Sequence, residues 1–208
     1  MRRWTLVAVA AGLSLAGCST TSRPTASADT RPAASSPAST IPAVTASPNG
    51  VNPDVIPAVI TIPYVDAVFK VLNHINGDAV RTVIGAGSLT PSALADIKAI
   101  YAPPLLTVEL KVFAVGLTQD RSNLRSPIGD RITTVRRLIY ASNSCVFVET
   151  RTQLTNVEIS PTAAPASEYW ELVTKTSLQD PGHLNPTPWS LDYNVDYLVP
   201  TNMANICP

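Results

Sequence analysis

From Ser19 to Pro48, 25 of 30 residues are Ser, Thr, Ala or Pro. A stretch of this kind has too little apolar surface to offset the entropy of ordering it, so it reads as a disordered stalk. Thirty such residues average roughly 30 Å end to end as a flexible coil and reach about 90 Å as polyproline II. The Thr and Pro content also suits O-glycosylation. Asn49-Gly50 marks a turn, and Asn52-Pro53 and Ile56-Pro57 prolong the extended approach. Of the 208 residues, about 150 are left to build a core, the size of one ordinary domain.

Ahead of the stalk, Met1-Arg2-Arg3 gives a positive start, and Trp4 to Ala16 gives thirteen largely apolar residues. Thirteen are too few to span a bilayer, so the segment reads as a signal peptide. Leu15-Ala16-Gly17-Cys18 resembles the lipobox of bacterial lipoproteins. The resemblance implies cleavage before Cys18, a diacylglyceryl thioether on its sulfur and acylation of the new amine. Two or three acyl chains, at about 0.8 kcal/mol per buried methylene, hold a protein stably on a membrane. Ser19 stands where an inner-membrane retention signal would carry aspartate. The expected location is the extracytoplasmic side of the cell membrane, with the membrane as partner through the N-terminal lipid. The expected division is a signal peptide at 1–17, the lipidated cysteine and stalk at 18–57, and one domain at 58–208. Loss of Arg2 and Arg3 leaves 13 basic against 15 acidic residues. No basic excess supports nucleic-acid binding, and no aromatic stands among the residues from Asp120 to Leu138 to stack on bases.

Within the domain, Pro63 suits a first helical position, and Val65, Val68, Phe69, Leu72 and Ile75 form an apolar stripe. The Asn76-Gly77-Asp78 triplet predicts a break, after which Asp78 caps a short helix carrying Ala79, Val80, Val83 and Ile84. Thr90-Pro91 caps a third, with Leu94, Ile97, Ile100 and Tyr101 on one face and Pro103-Pro104 as its stop. Beyond Pro104 the period changes to two: Leu106, Val108, Leu110, Val112 and Ala114 alternate with Thr107, Glu109 and Lys111, which predicts a strand over 106–118. Further strands are predicted at 131–140, 145–157 and 169–176, with an edge strand within 185–199.

Helices first and an antiparallel meander afterwards predict an α+β fold, with N-terminal helices packed on a curved antiparallel sheet. The run from Tyr64 to Arg81, with its Asn-x-x-Asn-Gly-Asp ending, followed by another helix and long strands, resembles the NTF2-like superfamily over roughly residues 58 to 199. The resemblance implies a cone-shaped fold around a cavity that relatives use for binding, assembly or catalysis. Tyr64, Phe69, Tyr101 and Trp170 are the candidates to line a ligand site there. In its isomerase or dehydratase members a carboxylate or histidine acts as base beside a Tyr or Asp donor. Asp66, Glu109, Glu149 and Glu171 are of the right type for the base, and Tyr64, Tyr101 or Tyr169 for the donor.

With Cys18 given to lipid, Cys145 and Cys207 remain, and in an exported protein such a pair predicts a disulfide. No base flanks either sulfur in sequence, so a reactive thiol is the weaker reading. His74, eight residues after Asp66 and four after Lys70, falls on the polar face of the first helix, and His183 sits in an Asp-Pro-Gly-His turn. Both read as solvated, and no zinc-ligand spacing surrounds either. Gly85-Ala86-Gly87 follows a helix rather than a strand and lacks the third glycine of a nucleotide loop. Glu109 and Glu149 fall on strand faces that also carry Lys111 and Arg151, a pattern that reads as solvated cross-strand ion pairs. Arg121, Arg125, Arg131, Arg136 and Arg137 face only Asp120 and Asp130 nearby in sequence. They read as solvated, with an anionic headgroup or wall polymer as the alternative.

No catalytic residue, metal or cofactor is assigned. The expected function is a lipid-anchored, non-catalytic binding or accessory protein of the bacterial cell envelope. Its partner would be a hydrophobic ligand or an envelope protein, met through the cone mouth and the aromatics Trp170, Trp189, Tyr193 and Tyr197. The alternatives are a small cofactor-free isomerase or dehydratase using the same cavity, and a plain spacer with a filled core.

Overall fold

The computed structural model describes residues 50–118, 121–161, 167–196 and 207. The signal peptide, Cys18 and the stalk up to residue 49 lie outside them, as do Asp120 and Tyr197. Three helices, α1 (Ile62–Ala86), α2 (Pro91–Ile100) and α3 (Pro103–Gly116), precede four strands, β1 (Ile132–Ala141), β2 (Cys145–Gln153), β3 (Glu168–Thr174) and β4 (Trp189–Asp196). The strands form one antiparallel meander in the order β1-β2-β3-β4, so the fold is α+β with helices packed on a sheet.

Two of the expected secondary-structure elements differ from those observed. Helix α1 does not break at Asn76-Gly77-Asp78 but runs through it for 25 residues and ends at Gly87, whose φ of 67° suits a left-handed cap. The glycine is kept helical by a neighbour: a β-carbon at position 77 would overlap the Asp130 carboxylate, which reaches across to α1. Arg81 donates to Asp130 Oδ1 at 2.8 Å and to Asp78 Oδ1 at 2.7 Å, and His74 Nδ1 lies 2.9 Å from Asp130 Oδ2. These ties offset the roughly 1 kcal/mol that an interior glycine costs a helix.

The second difference is the strand expected over 106–118, which is α3. Leu106, Leu110, Phe113 and Leu117, at spacings of three and four, pack against the core. The same stretch satisfies period two through Leu106, Val108, Leu110, Val112 and Ala114, and Pro103-Pro104, expected as a stop, sits in the first helical turn, where a missing N–H costs nothing. Helix α2 begins as expected, with the Ala93 N–H donating to Thr90 Oγ1 at 3.2 Å.

The core lies between α1, α2 and the sheet face that carries Val135, Val146, Val148, Trp170, Leu172, Trp189 and Leu191. Val51 and Ile56 also pack against it, so the packed chain reaches back into the segment expected as stalk. On the opposite face Phe147 and Tyr169 stack with ring centroids 6.1 Å apart, and Cys207 packs against them. Both edges of the sheet are managed. The Val135 N–H, on edge strand β1, donates to Asp66 Oδ1 at 2.7 Å, and the register of β1 slips twice against β2. On β4 the Ala102 N–H donates to Leu191 O at 2.8 Å. No described helix is long and apolar enough to cross a membrane.

Candidate functional site

The helix-facing side of the sheet changes character along its length. Towards the Cys145 end it is apolar, with Val146, Leu172 and Leu191 no more than 1% exposed. Towards the other end it carries Thr133, Thr150, Thr152 and Glu168. The Thr152 hydroxyl donates to Glu168 Oε2 at 2.6 Å, and the Trp170 indole N–H donates to the same oxygen at 3.2 Å.

Arg131, just before β1, enters at this end. Its Nε donates to Asn73 Oδ1 of α1 at 2.6 Å, and its Cζ lies 5.5 Å from the Trp170 ring centroid, in cation–π range. One Nη stands 3.5 Å from the hydroxyl of Tyr101, at the α2–α3 junction, and that hydroxyl donates its own hydrogen to Asn76 Oδ1 at 3.2 Å. Among the described residues Arg131 has no carboxylate at ion-pair distance. Glu109 of α3 is near enough to feel its charge but is not bonded to it: burial raises the Glu109 carboxyl above the usual range, against a smaller lowering by Arg131. Burial pushes Tyr101 up to about 12, with the nearby Glu109 adding to the rise and Arg131 opposing it.

The four aromatics expected to line a site therefore fall into one cluster with different surroundings. All are buried, between 1% and 4% exposed. Tyr64 accepts from Trp189 Nε1 at 2.8 Å, and Phe69 meets Trp170 edge-on at 6.3 Å, so these two fill core. Tyr101 and Trp170 border the Arg131 group. Trp189 is buried too, and Tyr193 is exposed. Asn73 and Asn76 escaped the sequence reading, although Asn73, four residues after Phe69 and eight after Val65, interrupts the buried face of α1 as a polar residue.

The remaining candidates have structural partners. Asp66 caps β1, and burial raises its carboxyl despite that bond. Glu149 of β2 pairs with Arg137 of β1 at 3.1 Å, a cross-strand ion pair as expected, whereas Glu109 and Lys111, being helical, form none. His74 is not merely solvated, since it reaches Asp130. Arg121 donates to Ile84 O at 3.0 Å, and Arg125 Nε donates to Thr155 O and Glu158 O, so backbone carbonyls occupy two of the five clustered arginines. His183 lies exposed in its turn with φ of 52°. Gly87 of the Gly-Ala-Gly segment is a helix cap.

Cys145 and Cys207 form a disulfide that ties the end of the chain to β2, with a Cα separation of 5.3 Å. Glu171 lies against it: its Oε1 accepts the Cys207 N–H at 2.9 Å and is 3.3 Å from Cys145 Sγ, which as a disulfide sulfur has no hydrogen to donate. The three side chains converge closely enough for a metal, but joined sulfurs offer no thiolates. Burial, with Asp192 adding a like charge, raises the Glu171 carboxyl. Tyr169 stacks on Phe147 and is not brought to Glu171's oxygens by any described hydrogen bond. Of the base and donor candidates, Glu109 and Tyr101 lie near Arg131, while Glu149 stands opposite Tyr169 across β2 and β3 and pairs with Arg137. No family model, curated protein or solved structure matches the chain.

Proposed function

We propose that this chain is a lipid-anchored, non-catalytic binding or accessory protein of the bacterial cell envelope, with an NTF2-like domain on the extracytoplasmic side. Support for the compartment comes from the Leu15-Ala16-Gly17-Cys18 spacing and from the Cys145–Cys207 disulfide, a bond that persists in oxidising surroundings. Support for binding rests on Arg131, half-buried beside Asn73 and Trp170 and, among the described residues, without an ion-paired carboxylate. A partly desolvated cation of this kind gains from an incoming polar or anionic group. Tyr101, raised to about 12 and already donating to Asn76, is poorly suited to proton transfer near neutrality.

Two measurements test the reading. Membrane fractionation of Cys18→Ala is expected to move the protein into the aqueous fraction, and a variant still requiring detergent would overturn the anchor. Native mass spectrometry of the protein from its own membrane is expected to show a bound small molecule or subunit, and bare chain throughout would overturn the binding role. The raised Glu109 beside Tyr101 and Arg131 favours one second reading, a cofactor-free isomerase or dehydratase. That reading requires turnover that Glu109→Gln abolishes.

A further inference from the structure

The charge at the Arg131 group and the packing of α3 beside it point to the same kind of ligand. We infer that the site takes a single-chain organic carboxylate, its head on the Arg131 guanidinium and its apolar chain along the half-buried side of α3; this rests on the binding role proposed above. Among the described residues Arg131 uses Nε for Asn73 and makes one long contact from Nη to Tyr101, so hydrogens on its outer nitrogens stay available there for a planar two-oxygen acceptor. Asn73 fixes one edge of the guanidinium and the Trp170 ring lies within cation–π range of it, which orients the fork before a ligand arrives.

Among the described residues no lysine or second arginine shares a partner with Arg131, and a single cation matches a monoanion better than a phosphate dianion. Glu109 adds to that discrimination by placing a repelling carboxyl nearby. On the apolar side, Leu106, Leu110 and Phe113 pack against the core yet remain only partly buried, whereas α3 has Leu105 alone fully buried. Covering that surface with an alkyl chain adds apolar burial where the protein itself leaves it incomplete.

The probe is hexanoate labelled with ¹³C at its carboxyl, added to the full-length protein in a nonionic detergent and followed by equilibrium dialysis and by the carboxyl NMR shift. Detergent alone serves as the blank, with 1-hexanol and hexyl phosphate as comparison ligands. Saturable hexanoate binding is expected, with 1-hexanol and hexyl phosphate each at least about tenfold weaker. Arg131→Gln is expected to weaken hexanoate by about a hundredfold, the usual consequence of removing one partner of a desolvated charge pair. Because Arg131→Gln also removes the Asn73 bond, Glu109→Gln provides an independent arm. Loss of its repelling charge should tighten hexanoate at neutral pH and leave 1-hexanol unchanged, a pattern that a damaged fold does not produce.

Equal binding of hexanoate and 1-hexanol, insensitive to Arg131→Gln, would overturn the carboxylate assignment while leaving a binding role intact. Tighter binding of hexyl phosphate would overturn it in favour of a phosphoester. Absence of binding by all three would also overturn it, and the binding role would then stand or fall on the co-purification measurement.

Discussion

Helices α1 and α3 are both rich in apolar residues, but they are seated differently. Twelve of the 25 residues of α1 are buried, against Leu105 alone in α3. Helix α1 lies against α2 and β1 with a continuous apolar stripe, and its polar exceptions, Asn73, Asn76 and Asp66, each have a partner. Helix α3 lies against β4, with one half-buried apolar side and another side on which Val108, Val112 and Val115 are 42% to 52% exposed. Apolar composition alone therefore does not decide burial. What differs is how much of the chain covers each helix: α1 is packed by both α2 and β1, whereas α3 lies chiefly against β4 and carries Glu109 near Arg131.

The contrast has measurable consequences for stability. Leu72 in α1 is 0% exposed, and Leu72→Ala should destabilise the fold by about 2–5 kcal/mol in chemical denaturation, the range for a large core truncation. Leu110→Ala in α3 should cost clearly less, because its site is only partly enclosed. Equal losses would abolish the distinction between the two helices. Gly77→Ala comes next in size. Alanine favours a helix, yet its β-carbon would displace Asp130 from Arg81 and His74, so a net loss of about 1–2 kcal/mol is expected. A stabilising Gly77→Ala would show that Asp130 moves aside freely.

The sequence conveyed these two helices unequally for the same reason. A stripe with polar residues opposite it has one period, so α1 could be read from Val65 to Ile75. An element apolar on several sides satisfies both two-residue and 3.6-residue spacing, and α3 was open to either. The false break at Asn76-Gly77-Asp78 has another origin: what keeps Gly77 helical is Asp130, distant in the chain. Strand β2 starts at the expected residue because the Ser142-Asn143-Ser144 turn precedes it, β3 starts within a residue of expectation, and the disulfide follows from two cysteines in a chain read as exported. At the candidate site, Tyr101 and Trp170 could be picked as aromatics, and Asn73 could have been picked as a polar interruption of an apolar stripe. Its pairing with Arg131 could not, since contacts between distant segments leave no local pattern.

Close packing of α1 on α2 also has an electrostatic cost. Burial, with the nearby Asp78 contributing, pushes Asp96 of α2 up to about 6. The folded form then binds a proton more tightly than the unfolded chain does. Its contribution to stability is full below about pH 4 and is lost as pH rises through about 6. Asp96→Asn should therefore stabilise the protein at pH 7 by about 1 kcal/mol, discounted for its partial exposure, and change little at pH 4. A gain of the same size at both pH values would assign the effect to something other than the charge.

The smallest effect is expected on the outer side of α3. Val112 is 42% exposed, so Val112→Ser removes little apolar burial, and serine and valine differ little in helix propensity. The expected change in denaturation midpoint corresponds to less than about 0.5 kcal/mol, as for most surface substitutions. Val108→Ser and Val115→Ser should behave alike, because the three residues share one face at four- and three-residue spacing. A loss above about 1 kcal/mol would mean that this face is covered in solution. If that loss also faded on dilution, the cover would be a second copy of the chain, since only an intermolecular contact makes apparent stability depend on concentration. The difference between α1 and α3 would then be one of what covers each helix, within the chain for α1 and between chains for α3.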